Sequence, residues 1–307
     1  MNNMQKHVFS LYSLFYRFYL RLFTPGKWHM RQFRPALKIN PIKGNKKEVY
    51  YFGEKIFETP EIPFNKKIDK TIFIVGSGPS IKSTPMDMLK GEDIFCVNGS
   101  IVIKDVYGLD ISYYVALDES FLKNRVDYVI DAIESGIKCF FSVKGIKALL
   151  EYDIEILKNR NNVFIVDDFY EQYGVSVNTK LKMIGKEISV SQDTLTNKRP
   201  IIFSNDLQQG VFIGGTIVYS AIQIAAALGY KKMGIIGMDL GYSGKQARFY
   251  NEDSPEISRY EEELENIIIP QMKLAKEALK DTKIYNLSLE SKLPDEVFTK
   301  KTLKEIV

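Results

Sequence analysis

Residues 71–80 read Thr-Ile-Phe-Ile-Val-Gly-Ser-Gly-Pro-Ser, an apolar run that ends in a glycine turn. Without side chains, Gly76 and Gly78 are expected to take positive φ, so that a phosphate lies against peptide N–H groups beside Ser77 and Ser80. Phe95-Cys96-Val97 ends similarly in Asn98-Gly99-Ser100, where Asn98 offers a donor and an acceptor to a ribose or base edge. Gly214-Gly215-Thr216 opens the uncharged stretch IVYSAIQIAAAL. A helix there presents free N–H groups and a positive dipole end to a phosphate or carboxylate. Gly234 to Asp239 is another apolar run into a turn, and Asp239 suits a ribose or sugar hydroxyl. Beyond it, Arg248 can pair with a carboxylate, and Tyr242 and Tyr250 can donate to phosphate oxygens. Asp118 follows Val115-Ala116-Leu117, where it serves as base, nucleophile or hydroxyl acceptor, or simply as the N-cap of the next helix.

Each of these segments also has a plain structural reading as a turn, a cap or a charged loop. Their combination points to a nucleotide, and the details narrow the kind. No third glycine stands at 81, and no Gly-Lys-Ser/Thr occurs, so the dinucleotide fingerprint and the P-loop both fail. The body contains no Asp-x-Asp pair. Cys96 and Cys139 both lie in apolar runs, which fits buried thiols in a reducing compartment and neither a disulfide framework nor a zinc site.

The elements that must position these residues alternate. Short β-rich runs lie at 71–75, 94–97, 112–117, 138–143, 163–166, 232–236 and 283–286. Helical candidates fall near 84–90, 121–135, 145–158, 215–228 and 258–280. With 307 residues, 45% apolar and 26% charged, the chain has enough apolar material for a large core. Strand–helix alternation predicts an α/β fold, a Rossmann-like, mostly parallel sheet with helices on both faces. Ligands of such sheets bind at the carboxyl ends of the strands. Residues 171–200 are polar and aperiodic, and are expected to form a mobile loop or lid.

Residues 1–70 stand apart as a basic extension and linker ahead of a 71–307 domain. They hold 14 Lys/Arg against 5 Asp/Glu, a balance of +9 in a chain whose total is +4. Residues 8–23, VFSLYSLFYRFYLRLF, are aromatic and apolar, with Arg17 and Arg21 one helical turn apart. The run falls short of the roughly 20 residues that span a bilayer. No small-residue cleavage site follows it, so a signal peptide is not expected. It suits a helix lying on an anionic membrane surface, with basic residues up to Lys47 meeting headgroups, or else a helix packed on the body or a partner. Five prolines between 25 and 63 mark a linker, with a short hairpin near 49–57.

Taken in order, Gly-Ser-Gly-Pro-Ser, Asp-Ile-Phe-Cys-Val-Asn-Gly-Ser, Gly-Thr-Ile-Val-Tyr-Ser-Ala-Ile-Gln-Ile-Ala, Gly-Met-Asp-Leu, Arg-Phe-Tyr and Ile-Tyr-Asn-Leu-Ser resemble the lipopolysaccharide core enzymes that add a side-branch Kdo residue. The resemblance covers roughly residues 71–290. More distantly, the body is similar to bacterial CMP-sialic-acid sialyltransferases and motility-associated flagellin glycosyltransferases.

The resemblance implies a glycosyltransferase that moves Kdo from CMP-Kdo to a lipid-linked core oligosaccharide, peripheral on the cytoplasmic face of the inner membrane, with no metal, no further cofactor and no nucleic-acid partner. It implies that Gly76, Ser77, Gly78, Ser80 and Asn98 hold cytidine and phosphate, and that Gly215 and Thr216 face the nucleotide or the sugar carboxylate. Asp239 would bind ribose, with Tyr242, Arg248 and Tyr250 around the phosphate and leaving group. The sialyltransferases use a late histidine base, whereas the only histidines here are His7 and His29, both in the basic head. Asp118 is the first candidate to replace it and Asp239 the second. A sialyltransferase-like enzyme with another CMP-nonulosonic acid and a non-catalytic nucleotide-binding membrane scaffold are the alternatives.

Overall fold

The computed structural model describes residues 15, 18, 19, 22, 23, 36–64, 67–169, 173, 188–191, 201–241, 248–250 and 263–307. The expectations for Tyr242, His7 and His29, and for most of 171–200, lie outside these residues.

The seven predicted β runs all form strands, and with one more they build an eight-stranded parallel sheet. In chain order the strands are β4 (Ile68–Val75), β5 (Asp93–Val97), β6 (Tyr113–Ala116), β7 (Lys138–Phe141), β8 (Val163–Ile165), β11 (Tyr230–Ile236), β12 (Lys283–Asn286) and β13 (Thr299–Lys300). Their spatial order is β13-β12-β11-β4-β5-β6-β7-β8. The chain steps outward from β4 to β8, then returns to the other side of β4 as β11. The β11–β4–β5 junction is therefore where strand order reverses, the crevice position of such sheets.

Both faces are covered, as continuous apolar strands require. Ile72 and Ile74 of β4 face one core with Phe95, Val97, Phe140 and the helix α5 (Ile217–Leu228). Phe73 and Val75 face the other, with Ile94, Cys96, Tyr114 and Phe141. The helices α1 (Ile103–Tyr107), α2 (Glu119–Asn124), α3 (Val126–Glu134) and α4 (Val143–Tyr152) contribute buried residues to this second core. The helical run near 121–135 is broken in two at Arg125, whose φ of −131° and ψ of 44° are not helical. Cys96 and Cys139 are fully buried, and loss of solvent pushes both thiols well up, away from the reactive thiolate.

Two segments differ from expectation. Residues 37–58 are not only linker and hairpin. β1 (Leu37–Pro41), β2 (Lys47–Tyr51) and β3 (Glu54–Glu58) form an antiparallel sheet, and Leu37, Ile39, Val49, Ile56 and Phe57 join the second core. Within the region expected as a loop, β9 (Ile188–Val190) pairs antiparallel with β10 (Ile202–Ser204). Gln223, buried on α5, ties this pair down: its Oε1 accepts from the N–H groups of Ser204 and Phe212, and its Nε2 donates to the Phe212 and Tyr219 carbonyls. The Gln of the Ala-Ile-Gln segment thus holds structure together.

Candidate functional site

The ends of β4 and β11 are bolted to each other by backbone. The Gly76 N–H donates to the Ile236 carbonyl at 2.8 Å, and the Gly78 N–H to the Gly237 carbonyl at 2.9 Å. A Cβ on Gly76 would stand 2.6 Å from the Gly237 oxygen, and one on Gly78 2.7 Å from it and on top of the Asp239 carboxylate. The expected positive φ is not found at Gly76 or Gly78. Gly78 has φ −67°, ψ 156°, and the left-handed conformation falls on Gly237 at +71°. The two glycines are required because two turns from distant parts of the chain meet at van der Waals distance. Their N–H groups are occupied by that contact, so what the turn offers a ligand is Ser77 and the surface around it.

Asp239 is 3% exposed. Its Oδ2 accepts from the Ser80 N–H at 3.0 Å, and its Oδ1 is buried with no hydrogen-bond partner. The loop after β12 secures this turn from the far side. Ser288 Oγ accepts from the Met238 N–H and from Ser80 Oγ, Ser291 Oγ donates to the Met238 carbonyl, and the Lys292 N–H donates to the Asp239 carbonyl. Sequence reasoning missed these serines as site residues, although Asn-Leu-Ser was part of the resemblance.

On the other side of β4, Asn98 sits at φ +48°, a left-handed conformation that asparagine tolerates. Its Oδ1 is likewise buried and unpartnered. Ser100 fixes the turn by donating to the Val75 carbonyl at 2.6 Å and accepting from the Val97 N–H. Gly99 has no room for a side chain, because a Cβ there would overlap the Tyr250 hydroxyl. The segment Arg248–Tyr250 lies across the two turns: the Phe249 N–H donates to the Ser77 carbonyl, and Arg248 Nη1 donates to Ser77 Oγ at 3.1 Å and approaches the Tyr250 hydroxyl at 3.5 Å. Tyr128 packs edge-on to Tyr250, with ring centroids 6.4 Å apart. Ser77, Asn98, Gly99, Arg248 and Tyr250 thus form one cluster, against the wall that Gly78, Ser80 and Asp239 build.

Buried polar atoms without partners are uncommon, and each one calls for an explanation. Among the described residues there are four. Three of them, Asn98 Oδ1, Asp239 Oδ1 and Asn286 Nδ2, end β5, β11 and β12 at the same edge of the sheet. Two acceptors and one donor thus flank the β4 turn. The fourth, the Tyr114 hydroxyl, is buried within β6, where desolvation pushes its ionisation well up.

Gly215 and Thr216 lie at this edge too. The helix α5 ends at Gly229, whose carbonyl accepts from the Ile68 N–H at the start of β4, so its N-terminus points to the carboxyl ends of the strands. Gly215 takes φ +76°, and Thr216 caps α5 by accepting from the Val218 N–H. Asp118 stands at the end of β6 as the N-cap of α2, its Oδ1 accepting from the N–H groups of Ser120 and Phe121 and from the Ser120 hydroxyl. Loss of that cap in Asp118→Ala should lower stability by about 1 kcal/mol, read as a shift of the urea midpoint. Among the described residues, no group of three His, Cys, Asp or Glu side chains has metal-binding geometry.

Comparison with known proteins identifies the family. The family model of the 3-deoxy-D-manno-octulosonic acid transferase WaaZ matches residues 61–300. A probable 3-deoxy-manno-octulosonic acid transferase of Escherichia coli K12 is 29% identical over 270 residues, covering 85% of this chain and 91% of that protein. Its Salmonella typhimurium counterpart is 27% identical over 248 residues, covering 78% and 90%. Among solved structures, the Campylobacter jejuni sialyltransferase CstII, in complex with a substrate analogue, cytidine-5'-monophosphate, matches with 15% identity and a TM-score of 0.43, over 76% of this chain and 86% of that one. The MAf glycosyltransferase of Magnetospirillum magneticum matches with 14% identity and a TM-score of 0.40, over 72% and 32%. With 240 of its 307 residues inside the family match, the chain is a glycosyltransferase that belongs to the WaaZ family of 3-deoxy-D-manno-octulosonic acid transferases.

Proposed function

We propose that the protein transfers Kdo from CMP-Kdo to a lipopolysaccharide or lipooligosaccharide core acceptor at the cytoplasmic face of the inner membrane. The observation that carries this is the pair of buried acceptor oxygens, Asn98 Oδ1 and Asp239 Oδ1, on either side of the β4 turn. A cytidine nucleotide brings ribose hydroxyls and an exocyclic amine, the donors that such oxygens lack. Arg248 and Tyr250, gathered over Ser77, then supply charge and hydroxyl donors for the phosphate that departs with CMP. Incubation with CMP-Kdo and with CMP-sialic acid, followed by mass spectrometry of the glycosylated core acceptor, tests the donor. A Kdo mass increment is expected. A sialic acid increment would transfer the reading to the sialyltransferase-like alternative, and CMP binding with neither increment would favour a non-catalytic scaffold.

The head supports the membrane part of the proposal. Phe15, Phe18, Tyr19, Leu22 and Phe23 recur at helical spacing and are all exposed, between 49% and 72%. No helix among the described residues is long and apolar enough to cross a membrane. Such a stripe, in a segment of net positive charge, matches a helix lying in the headgroup region. Deletion of residues 1–30 is expected to abolish flotation with anionic vesicles while turnover of a soluble acceptor continues. Equal vesicle recovery after the deletion would remove the anchoring role.

A further inference from the structure

We infer that Tyr128 is a positioning residue of the transfer reaction: its ring fixes the ring of Tyr250, so that the Tyr250 hydroxyl stays beside Arg248 where the donor phosphate is met. The inference rests on the glycosyl-transfer reading above, in which Arg248 and Tyr250 serve the phosphate, and it names the support that Tyr250 requires.

A donor stabilises departing charge best when it is already in place, and a tyrosine loses its place by rotation about either side-chain torsion. The backbone of the segment is anchored first. Phe249 is buried in the second core, and its N–H donates to the Ser77 carbonyl at 3.0 Å. Its neighbours Arg248 and Tyr250 are left half-buried, within reach of a ligand. Arg248 is then guided by Ser77 Oγ. The Tyr250 hydroxyl occupies the notch that the missing side chain of Gly99 leaves, and a Cβ there would also lie 3.1 Å from the ring carbon Cε1. The notch blocks movement at the hydroxyl end only. Two other rings stand at right angles to that of Tyr250: Phe249 at 5.1 Å between centroids and 89°, and Tyr128 at 6.4 Å and 90°. Such edge-to-face pairs prefer one direction of approach, because the ring edge is positive and the face negative. Phe249 belongs to the same segment as Tyr250. Tyr128 comes from another element, and so ties the phenol to the body of the protein.

The fold gives Tyr128 a firm base. Arg125 breaks the helical run, and α3 starts directly after it, with Tyr128 in its first turn. Because α3 leads into β7, that first turn lies toward the carboxyl edge of the sheet. Val129, Ala132 and Ile133 plant the helix in the second core. The helix also packs against the turn Asn98–Val102, which contains Gly99. The notch and the ring that confine Tyr250 are thus parts of one packed unit.

The test uses the full-length protein and reads binding and turnover separately. CMP and cytidine are titrated by calorimetry, and CMP release from CMP-Kdo with core acceptor is followed at steady state. Tyr128→Leu keeps an apolar residue of good helix propensity on α3. It is expected to weaken CMP binding by about 3- to 10-fold, the worth of one oriented aromatic pair, and to lower kcat/KM by at least that factor. Cytidine, which lacks the phosphate, should bind as it does to the wild type. Tyr128→Phe retains the ring and should retain the wild-type values. In a Tyr250→Phe background, Tyr128→Leu should cause no further loss of CMP affinity, because the hydroxyl through which it acts is gone. Wild-type CMP affinity in Tyr128→Leu overturns the assignment. So do equal losses for CMP and cytidine, additive losses in the double variant, or a Tyr128→Phe protein as impaired as Tyr128→Leu. Wild-type protein that binds CMP but turns over no CMP-Kdo would instead overturn the glycosyl-transfer reading, while the two titrations still decide whether Tyr128 acts through Tyr250.

Discussion

Asp239→Asn is expected to weaken CMP binding by about 10- to 100-fold, the loss of one to two hydrogen-bonding contributions to a buried charged acceptor, while thermal stability changes little. The asymmetry of the two carboxylate oxygens makes this a clean substitution. Oδ2 accepts from the Ser80 N–H at 3.0 Å, and only an acceptor satisfies that donor. The asparagine carbonyl will therefore take the Oδ2 position and leave its NH₂ where Oδ1 is now buried without a partner. The scaffold bond persists, while the group offered to the ligand changes from acceptor to donor. Calorimetric titration with CMP reads the affinity. Unchanged affinity would show that the unpartnered oxygen does not meet the nucleotide.

Gly78→Ala is expected to do the opposite, damaging the scaffold first. The added Cβ would overlap the Asp239 carboxylate and lie 2.7 Å from the Gly237 carbonyl oxygen. Neither obstacle can swing aside: one is backbone, and the other is held by Ser80. The β4 and β11 turns must separate, at a cost on the order of 3 kcal/mol, and CMP binding goes with them. Gly241→Ala provides the contrast. The three atoms nearest its Cβ would all belong to the Lys292 side chain, the first being Cε at 3.0 Å. A flexible methylene chain can move, so the expected loss is within about 0.5 kcal/mol. Urea midpoints for the two variants measure the difference. Equal midpoints would mean that the turns have more slack than their geometry implies.

The parallel sheet was legible because its strands are locally written. Each apolar run from 71–75 to 283–286 is bounded by a turn signal, and the connections between them are long enough for parallel crossovers. What escaped local reading depends on distant partners. β13 has two residues and exists only through β12. β1 to β3 sit in proline-rich sequence, and their apolar residues gain meaning only once they cover the second core. The break at Arg125 interrupts a continuous amphipathic pattern with no glycine or proline to announce it. The site shows the same division. The positions of Asn98, Gly215 and Asp239 at strand and helix ends followed from sequence, whereas the role of Gly76 and Gly78 did not. Positive φ is a local property, but close approach requires knowing which other backbone arrives.

The interlock of the Gly76–Ser80 and Gly237–Asp239 turns also dictates when a newly made chain acquires its site. The bond from Ser80 to Asp239 joins residues 159 apart in sequence, and Ser80 meets Ser288 across 208. Closing such separations comes late, after local pairs such as β4–β5 and β5–β6 have formed. During synthesis, β4 through β8 can leave the ribosome with one edge of β4 still bare. Only when β11 emerges and inserts at that edge does Asp239 reach its place, and β12 must follow before Ser288 secures it. A nascent or prematurely terminated chain therefore lacks this interlocked edge, and on the proposed function CMP-induced protection is expected only in molecules synthesised almost to the end.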